Sequence, residues 1–237
     1  MGAPQLFILF LFFGGLGATA AKHRDTEPGR INFWFYLLKY GVLLGILLMG
    51  GFFSTPACAN VPANALRHRA TLVRTAHAEW GLDAPSATFA AQIHQESTWR
   101  ESITAPDDGR GLAQFMDSTA GWLVQRYPAL GKADPYNPAW AMRALVRYDR
   151  HLYGQVRGTD PCQRMAAALK GYNAGVGYVL RAQTKSAEPG VWFGVTEHIQ
   201  TGQSAKNFEY SRLYPRWIIY KHQPRYVAAG FGKGVCL

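Results

Sequence analysis

Glu96 lies on a predicted helical face that would bury its carboxyl group. A buried carboxyl group can act as a general acid. Glu96 follows Phe89 by seven residues and Ile93 by three, on a predicted helical face that is otherwise apolar. Burial raises the pKa of a carboxyl group, and a glutamic acid with a pKa near neutrality donates a proton readily at neutral pH. A salt-bridged glutamate that merely ends a helix is the alternative interpretation.

Tyr172 has a similar place on a second predicted helix. It shares one helical face with Met165 and Leu169, which turns its phenol toward the interior at the helix end. A buried hydroxyl requires a hydrogen-bond partner, so Tyr172 is either a satisfied core residue or the partner of another polar group. Two further carboxyls, those of Asp107 and Asp108, lie in a Pro-Asp-Asp-Gly segment that favours a turn.

The chain after its first 59 residues is predicted to be mainly α-helical, with loops marked by glycine and proline. Asp83, Asn137 and Asp160 are expected to cap three helices, and Pro215 is expected to bend the last one. The tail that begins at Gln223 carries enough apolar side chains to pack on the core. The predicted helices span about residues 60–80, 84–97, 118–127, 138–153, 161–172, 178–184 and 205–219.

Residues 1–59 are interpreted as an export or anchor region. Two apolar stretches, residues 6–21 and 31–53, flank a basic connector, and the second is long enough to cross a bilayer if its one lysine extends to the interface. The positive-inside rule keeps the connector in the cytoplasm and exports everything after the second stretch. Alternatively, translation starts later, residues 22–53 form a signal peptide, and cleavage occurs at Ala57-Cys58-Ala59.

The composition indicates one globular domain with an appendage. Of the 237 residues, 48% are hydrophobic and 17% are charged, which excludes a disordered chain. The formal net charge is +10, of which residues 1–59 contribute +2, so the remainder suits a polyanionic partner unless it is simply a basic soluble surface. The three cysteines show no metal-ligand spacing, and Cys162 and Cys236 could form one disulfide in an oxidising compartment.

Three separated segments resemble the motifs of SLT-type lytic transglycosylases, which are relatives of goose-type lysozyme. The family's motifs are Glu-Ser, Gly-Leu-Met-Gln and Ala-Tyr-Asn-Ala-Gly, and the resemblance covers roughly residues 80–185. The corresponding segments here are Gln95-Glu96-Ser97, Gly111-Leu112-Ala113-Gln114-Phe115-Met116 and Gly171-Tyr172-Asn173-Ala174-Gly175.

Several positions depart from the family's pattern. Ala113 replaces the usual Met, Gly171 replaces the usual Ala, and Asp107-Asp108-Gly109 stands where the family often has a serine-containing loop. Residues 209–216 resemble the family's closing Glu-Thr-Arg-x-Tyr helix only loosely. The Tyr-Pro-Arg run and the Gly-Val-Cys ending are similar to those of a bacteriophage-type member.

The resemblance implies a role for five residues. Glu96 is expected to be the catalytic acid and base, and Ser97 to support it. Gln114 is expected to contact the sugar at its acetamido group, Tyr172 to hydrogen-bond the Glu96 carboxyl, and Asn173 to line the same cleft. No metal and no cofactor are implied.

Other aromatic residues have two interpretations. Trp99, Trp122, Tyr136 and Trp140 either stack on sugar rings or fill the core. His94 lies off the face that carries the predicted acid and is expected at the surface.

The resemblance implies a lysozyme-like catalytic domain, and the residue pattern predicts that it is mainly α and is preceded by an N-terminal hydrophobic export or anchor region. The predicted boundaries are residues 1–59 for that region, 60–79 for a leading helix, 80–185 for the catalytic core, and 186–237 for a C-terminal helix and tail. The implied reaction cleaves the β-1,4 bond between N-acetylmuramic acid and N-acetylglucosamine in peptidoglycan and leaves a 1,6-anhydro ring.

Two other functions remain open from the sequence. A lysozyme-like hydrolase would use water, activated by Asp107 or Asp108, and a non-catalytic module would bind peptidoglycan, envelope components or nucleic acid. The expected partners are peptidoglycan strands, the membrane through the apolar N-terminal stretches, and a secretion or lysis machinery, with no nucleic acid. The expected location is the periplasm or cell envelope, with the chain anchored or released near Ala59.

Overall fold

The computed structural model describes residues 40–42 and 61–236. The chain divides into two units, Met1–Cys58 and Ala59–Leu237. The apolar stretches predicted at residues 6–21 and 31–53 lie outside the described residues, apart from residues 40–42. Within the described ranges, no helix has the length and apolar character needed to cross a membrane.

Eight α-helices make up most of the described part of the second unit, which confirms the prediction of a mainly α fold. A π-helix, Trp217–His222, joins the last two, and short 3₁₀ turns lie at Pro128–Leu130 and Thr196–His198. The helices are α1 (Ala63–Trp80), α2 (Ser86–Ser97), α3 (Asp117–Arg126), α4 (Pro138–Gln155), α5 (Pro161–Ala174), α6 (Val176–Lys185), α7 (Ala205–Arg216) and α8 (Gln223–Ala228).

Side-chain caps begin two helices where the sequence predicts them. The Asn137 side chain accepts hydrogen bonds from two N–H groups in the first turn of α4, and Asp160 accepts one in the first turn of α5. The predicted cap by Asp83 is wrong. Helix α2 begins after Pro85 without a side-chain cap, because the Asp83 carboxylate lies before this proline and pairs with Lys233.

Helix α2 carries Glu96 and is buried along most of its length. Ala87, Phe89, Ala90 and Ile93 are each 0% exposed. The helix packs against α1, α8 and the π-helix, and its small side chains allow a close approach. Contacts on several sides therefore fix the position of Glu96 near the end of this buried helix.

The C-terminal helix continues well beyond its predicted end at residue 219. Pro215 lies inside α7, and the π-helix carries the chain on into α8. A proline removes one N–H donor and crowds the preceding turn. The wider π turns that begin two residues later accommodate this local distortion of the helix. Tyr226 and Phe231 are 0% exposed and belong to the hydrophobic core.

The segment between α2 and α3 folds back on itself beside the end of α2. Isolated β-bridges join Thr104 to Arg110 and Arg110 to Phe115. Gly111 has a φ of +68°, and a Cβ atom at this position would lie 1.9 Å from the Pro135 carbonyl oxygen. Only glycine fits such a close approach, so the path of this segment depends on it.

A disulfide joins Cys162, at the start of α5, to Cys236 in the tail. The cysteines are 74 residues apart. We expect Cys162→Ala combined with Cys236→Ala to lower the free energy of unfolding by about 2–4 kcal/mol, since a long loop is no longer closed in the unfolded chain. Urea denaturation measures this, and a reductant should destabilise only the wild type. Equal midpoints for the variant and the oxidised wild type would contradict the prediction.

Candidate active site

Glu96 lies at the end of α2, and a cleft of about 350 Å³ opens beside it. Four predicted site residues line this cleft: Glu96, Gln114, Tyr172 and Asn173. Ser97 does not line it. The remaining lining residues come from α2, the segment between α2 and α3, and helices α3, α4 and α7; they are Gln95, Ala105, Asp107, Gly109, Phe115, Met116, Thr119, Tyr148 and Tyr210.

Burial of the Glu96 carboxyl raises its pKa to about 7. The hydrogen bond from Tyr214 opposes this rise, and the negative charge of Asp107 adds to it. At neutral pH the carboxyl is therefore present in both protonated and ionised forms. Such a group can donate a proton and later accept one.

Tyr214 supplies the hydroxyl that donates to Glu96 Oε1. It lies on α7, is 1% exposed, and is 118 residues from Glu96 in the chain. Burial and the Glu96 charge raise the pKa of the Tyr214 hydroxyl well above its ordinary value, so the hydroxyl stays protonated. Tyr214 is not among the residues predicted from sequence, although Arg212-Leu213-Tyr214 fits the end of the family's Glu-Thr-Arg-x-Tyr motif.

The predicted hydrogen bond between Tyr172 and Glu96 is wrong. The Tyr172 hydroxyl donates instead to the Ala113 carbonyl oxygen, at 2.7 Å, because the second motif segment brings that carbonyl within reach. The ring packs against Phe115 and Tyr148, with centroid separations of 5.8 and 5.4 Å. Tyr172 thus lines the cleft and holds the second motif segment in place.

Ser97 and Gln114 also form hydrogen bonds that hold the second motif segment, residues 111–116, in place. The Ser97 hydroxyl lies 2.9 Å from the Leu112 carbonyl oxygen and 3.2 Å from that of Ile93, which ties the end of α2 to the segment. Gln114 has a φ of 50°, and its Nε2 donates to the Gly111 carbonyl oxygen at 2.7 Å. Such a backbone conformation is uncommon outside glycine and is frequent at functional sites.

A second cleft, of about 450 Å³, adjoins the first. Asp107, Asn173 and Tyr210 line both, so the two form one continuous groove. The walls of the second cleft are largely polar and include Asn207 and Ser211 of α7. The groove therefore extends from Glu96 along α7.

The two carboxyls that could activate water in a hydrolase, those of Asp107 and Asp108, differ in position. Asp107 lines the cleft beside Glu96. Asp108 has a φ of 68° and belongs to a turn in which its N–H donates to the Ala105 carbonyl oxygen at 2.9 Å. In residues 40–42 and 61–236, no group of three or more His, Cys, Asp or Glu side chains is arranged to hold a metal ion.

Two of the four aromatic residues considered for sugar stacking belong to the core. Trp99 and Trp140 are 0% and 6% exposed. Trp122 and Tyr136 are accessible, but neither lines the cleft beside Glu96.

His94 is half-buried, whereas the sequence predicts a surface position. Its Nδ1 lies 2.8 Å from the Tyr226 hydroxyl, and its ring lies 4.5 Å from that of His222. Burial lowers the pKa of His94, which favours the neutral ring. The contact with the C-terminal helix accounts for its position, because that helix covers the face of α2 on which His94 lies.

Comparison with known proteins assigns this chain to a family. The Transglycosylase SLT domain matches residues 74–192, half of the chain. The chain belongs to the SLT transglycosylase family. The matched range includes Glu96 and Asn173, whereas Tyr210 and Tyr214 of this SLT protein lie beyond it.

Relatives of this SLT chain include proteins named membrane-bound lytic murein transglycosylase F. The protein from Mannheimia succiniciproducens is 31% identical over 116 residues, which are 47% of this chain and 22% of the relative. The protein from Shewanella halifaxensis is 28% identical over 129 residues, which are 52% of this chain and 26% of the relative. The matched part thus spans about a quarter of each relative.

The fold is also similar to that of an inactive mutant of the lytic transglycosylase Slt from Pseudomonas aeruginosa. The TM-score is 0.53 and the sequence identity is 22%, over 70% of this chain and 24% of the other. This likeness supports the lysozyme-like fold of the SLT chain.

Tyr214→Phe is expected to raise the pKa of Glu96 by about one to two units, because the ionised carboxylate loses a hydrogen bond worth about 1.5–3 kcal/mol. Tyr172→Phe is the matched control and should leave this pKa nearly unchanged, since its hydroxyl binds the Ala113 carbonyl. NMR titration of carbon-13-labelled glutamate side chains measures both, with Glu96→Gln identifying the signal. Equal shifts in the two tyrosine variants would contradict the role of Tyr214.

Proposed function

We propose that this protein is a peptidoglycan lytic transglycosylase that cleaves the β-1,4 bond between N-acetylmuramic acid and N-acetylglucosamine. The main observation in support is a carboxyl group with a pKa of about 7 beside a continuous groove. Membership of the SLT family and the names of the relatives support the same activity.

In the first step, neutral Glu96 donates its proton to the glycosidic oxygen. The bond from that oxygen to the anomeric carbon of muramic acid breaks, and N-acetylglucosamine leaves with a free hydroxyl. The Tyr214 hydroxyl stabilises the glutamate that remains, because it donates to Glu96 Oε1. The acetamido oxygen of muramic acid stabilises the positive charge at the anomeric carbon, as in substrate-assisted glycosidases.

In the second step, ionised Glu96 takes the proton of the C6 hydroxyl of the same muramic acid, and that oxygen bonds to the anomeric carbon. Glu96 regains its proton, no water is consumed, and the product carries a 1,6-anhydro ring. A tethered hydroxyl has an advantage over free water, since effective molarities for well-oriented groups reach about 10⁵ M or more.

The other site residues hold the substrate or the walls of the cleft in this proposal. Gln114 contacts the acetamido group, and Asn173 binds the sugar where the two clefts meet. Ser97 and Tyr172 act through the main chain, since their hydroxyls bind the Leu112 and Ala113 carbonyl oxygens.

We also propose that the protein acts in the cell envelope on peptidoglycan strands. The relatives are named membrane-bound, and residues 31–53 are apolar over a length that suits an anchor or export signal. Residues 60–237 carry +8 of the net charge of +10, since residues 1–59 contribute +2, and this charge favours association with anionic wall polymers. The folded part is either anchored or released near Ala59.

A lysozyme-like hydrolase is the second candidate, because Asp107 lines the same cleft as Glu96. Asp107 would then direct a water molecule to the anomeric carbon, and the product would be a reducing end. The two candidates share the first step and differ in the nucleophile.

Glu96→Gln is expected to reduce peptidoglycan cleavage by about 10²- to 10⁴-fold, because an amide cannot donate the proton. Its fold should be retained, since the amide oxygen can still accept from Tyr214. Release of soluble fragments from purified peptidoglycan measures the activity, and circular dichroism checks the fold. Glu188→Gln, at an exposed position outside the cleft, is the control. A Glu96→Gln variant with more than about a tenth of wild-type activity would overturn the assignment.

The product distinguishes transglycosylation from hydrolysis. We expect mass spectrometry to show muramic ends that are lighter by one water and resist borohydride reduction, because the C6 hydroxyl is the nucleophile. Asp107→Asn should retain this product and most of the activity. Reducible ends that carry oxygen from labelled water, and that disappear in Asp107→Asn, would instead support the hydrolase.

A further inference from the structure

A second buried carboxyl lies near Glu96 and has no part in the mechanism above. Asp149 of α4 is 0% exposed, as is Gln92, which lies one turn before Glu96 on α2. Gln92 Nε2 donates to Asp149 Oδ1 at 3.3 Å. The other two oxygens, Asp149 Oδ2 and Gln92 Oε1, are buried without a hydrogen-bond partner in the described part of the chain.

One proton would satisfy both of these oxygens. Each is an acceptor, and a buried acceptor without a donor is unfavourable by about 1–3 kcal/mol. If Asp149 Oδ2 carries a proton, it donates to Gln92 Oε1 and closes a ring with the hydrogen bond that Asp149 Oδ1 already accepts. An ionised Asp149 would leave both oxygens unpaired and would also bury a charge.

The surroundings of Asp149 also favour the neutral form. Burial raises the pKa of this carboxyl well above its ordinary value, the hydrogen bond from Gln92 opposes the rise, and the Glu96 charge adds to it. Among residues 61–236, no basic group is one of those that act on it electrostatically. Besides Glu96 of α2, these groups are Tyr148 of α4, Tyr172 of α5 and Tyr214 of α7.

The charged neighbours of Asp149 on its own helix are engaged elsewhere. Arg147 forms an ion pair with Glu79 of α1, with a nitrogen–oxygen distance of 2.6 Å. Arg150 is exposed to solvent. Neither is paired with Asp149.

We propose that Asp149 is a neutral carboxylic acid in the folded protein, hydrogen-bonded in both directions to Gln92, and that this pair positions Glu96. The pair joins α2 to α4 one turn below the catalytic carboxyl. Asp149 does not line the cleft and so acts as a positioning residue. Because it is neutral, it places no charge against the ionised Glu96. The positioning of Glu96 for catalysis rests on the proposed function, whereas the protonation of Asp149 does not.

The first test measures the protonation of Asp149 without an activity assay. Asp149→Asn keeps both hydrogen bonds, because its amide donates to Gln92 Oε1 and accepts from Nε2, but it has no proton to lose. Below the ordinary Asp pKa of 3.8 the wild-type carboxyl is neutral in both folded and unfolded chains. As the pH rises above that value only the unfolded chain ionises, so the stability of the wild type decreases relative to Asp149→Asn.

We expect the ratio of the wild-type to the Asp149→Asn unfolding constant to rise about tenfold per pH unit above about pH 4, until the pH reaches the raised pKa of the folded state. Urea denaturation at pH 4, 5, 6 and 7 measures this ratio. A ratio that is independent of pH would show that Asp149 ionises as readily in the folded chain, and would overturn the proposal.

The second test separates positioning from simple stability. Asp149→Leu has a similar volume but cannot pair with Gln92. We expect it to shift the NMR titration midpoint of Glu96 and to lower kcat about tenfold or more at unchanged KM, whereas Asp149→Asn keeps the midpoint. A lower midpoint in Asp149→Asn would reveal a charged Asp149 and overturn the proposal.

If Asp149→Leu changes only stability, with the Glu96 midpoint and kcat both retained, Asp149 does not position Glu96 and the proposal is wrong. If the wild type does not cleave peptidoglycan, the proposed function fails. The unfolding ratio and the NMR midpoints would still decide the proposal for Asp149 in that case.

Discussion

The Glu96 carboxyl is withdrawn from water at the end of a helix that lies in the core, and the Tyr214 hydroxyl is the donor that compensates for this loss. These two influences oppose each other. Burial favours the neutral carboxyl, the hydrogen bond favours the ionised one, and together they leave its pKa at about 7. Glu96 and Tyr214, which are 118 positions apart, must therefore lie within hydrogen-bond distance of each other. Much of the fold contributes to holding them there.

The C-terminal helix provides one side of this arrangement. Tyr214 precedes a proline and a π-helix, and the chain nevertheless continues as a helix to Ala228. This long element covers α2 through contacts such as that between His94 and Tyr226, while Ser97 and Tyr172 hold the segment on the other side of the cleft. Glu96 is thus held in place by contacts from both sides of the cleft.

Local features of this structure could be predicted from the sequence, whereas contacts between distant elements, apart from the Cys162–Cys236 disulfide, could not. The caps by Asn137 and Asp160 depend on neighbouring residues, and the inward direction of Glu96 and Tyr172 follows from helical periodicity. The resemblance implies a hydrogen bond from Tyr172 to Glu96, but periodicity does not give the register between helices, and the hydroxyl donates to the Ala113 carbonyl oxygen instead. Tyr214 lies in a largely polar helix with an internal proline, and Asp149 lies between Arg147, Tyr148 and Arg150, a sequence typical of an exposed surface.

The bond between Cys162 and Cys236 closes a covalent ring that contains α5, α6 and α7, and with them Asn173 and Tyr214. A protease that cuts once at the exposed turn around Gly202 would open this ring without releasing either part. The fragment with Tyr214 would stay linked to the fragment with Glu96 through the sulfur atoms. A nicked molecule would therefore keep both walls of its groove together as long as the cystine is oxidised, and would separate into two chains only after reduction and unfolding.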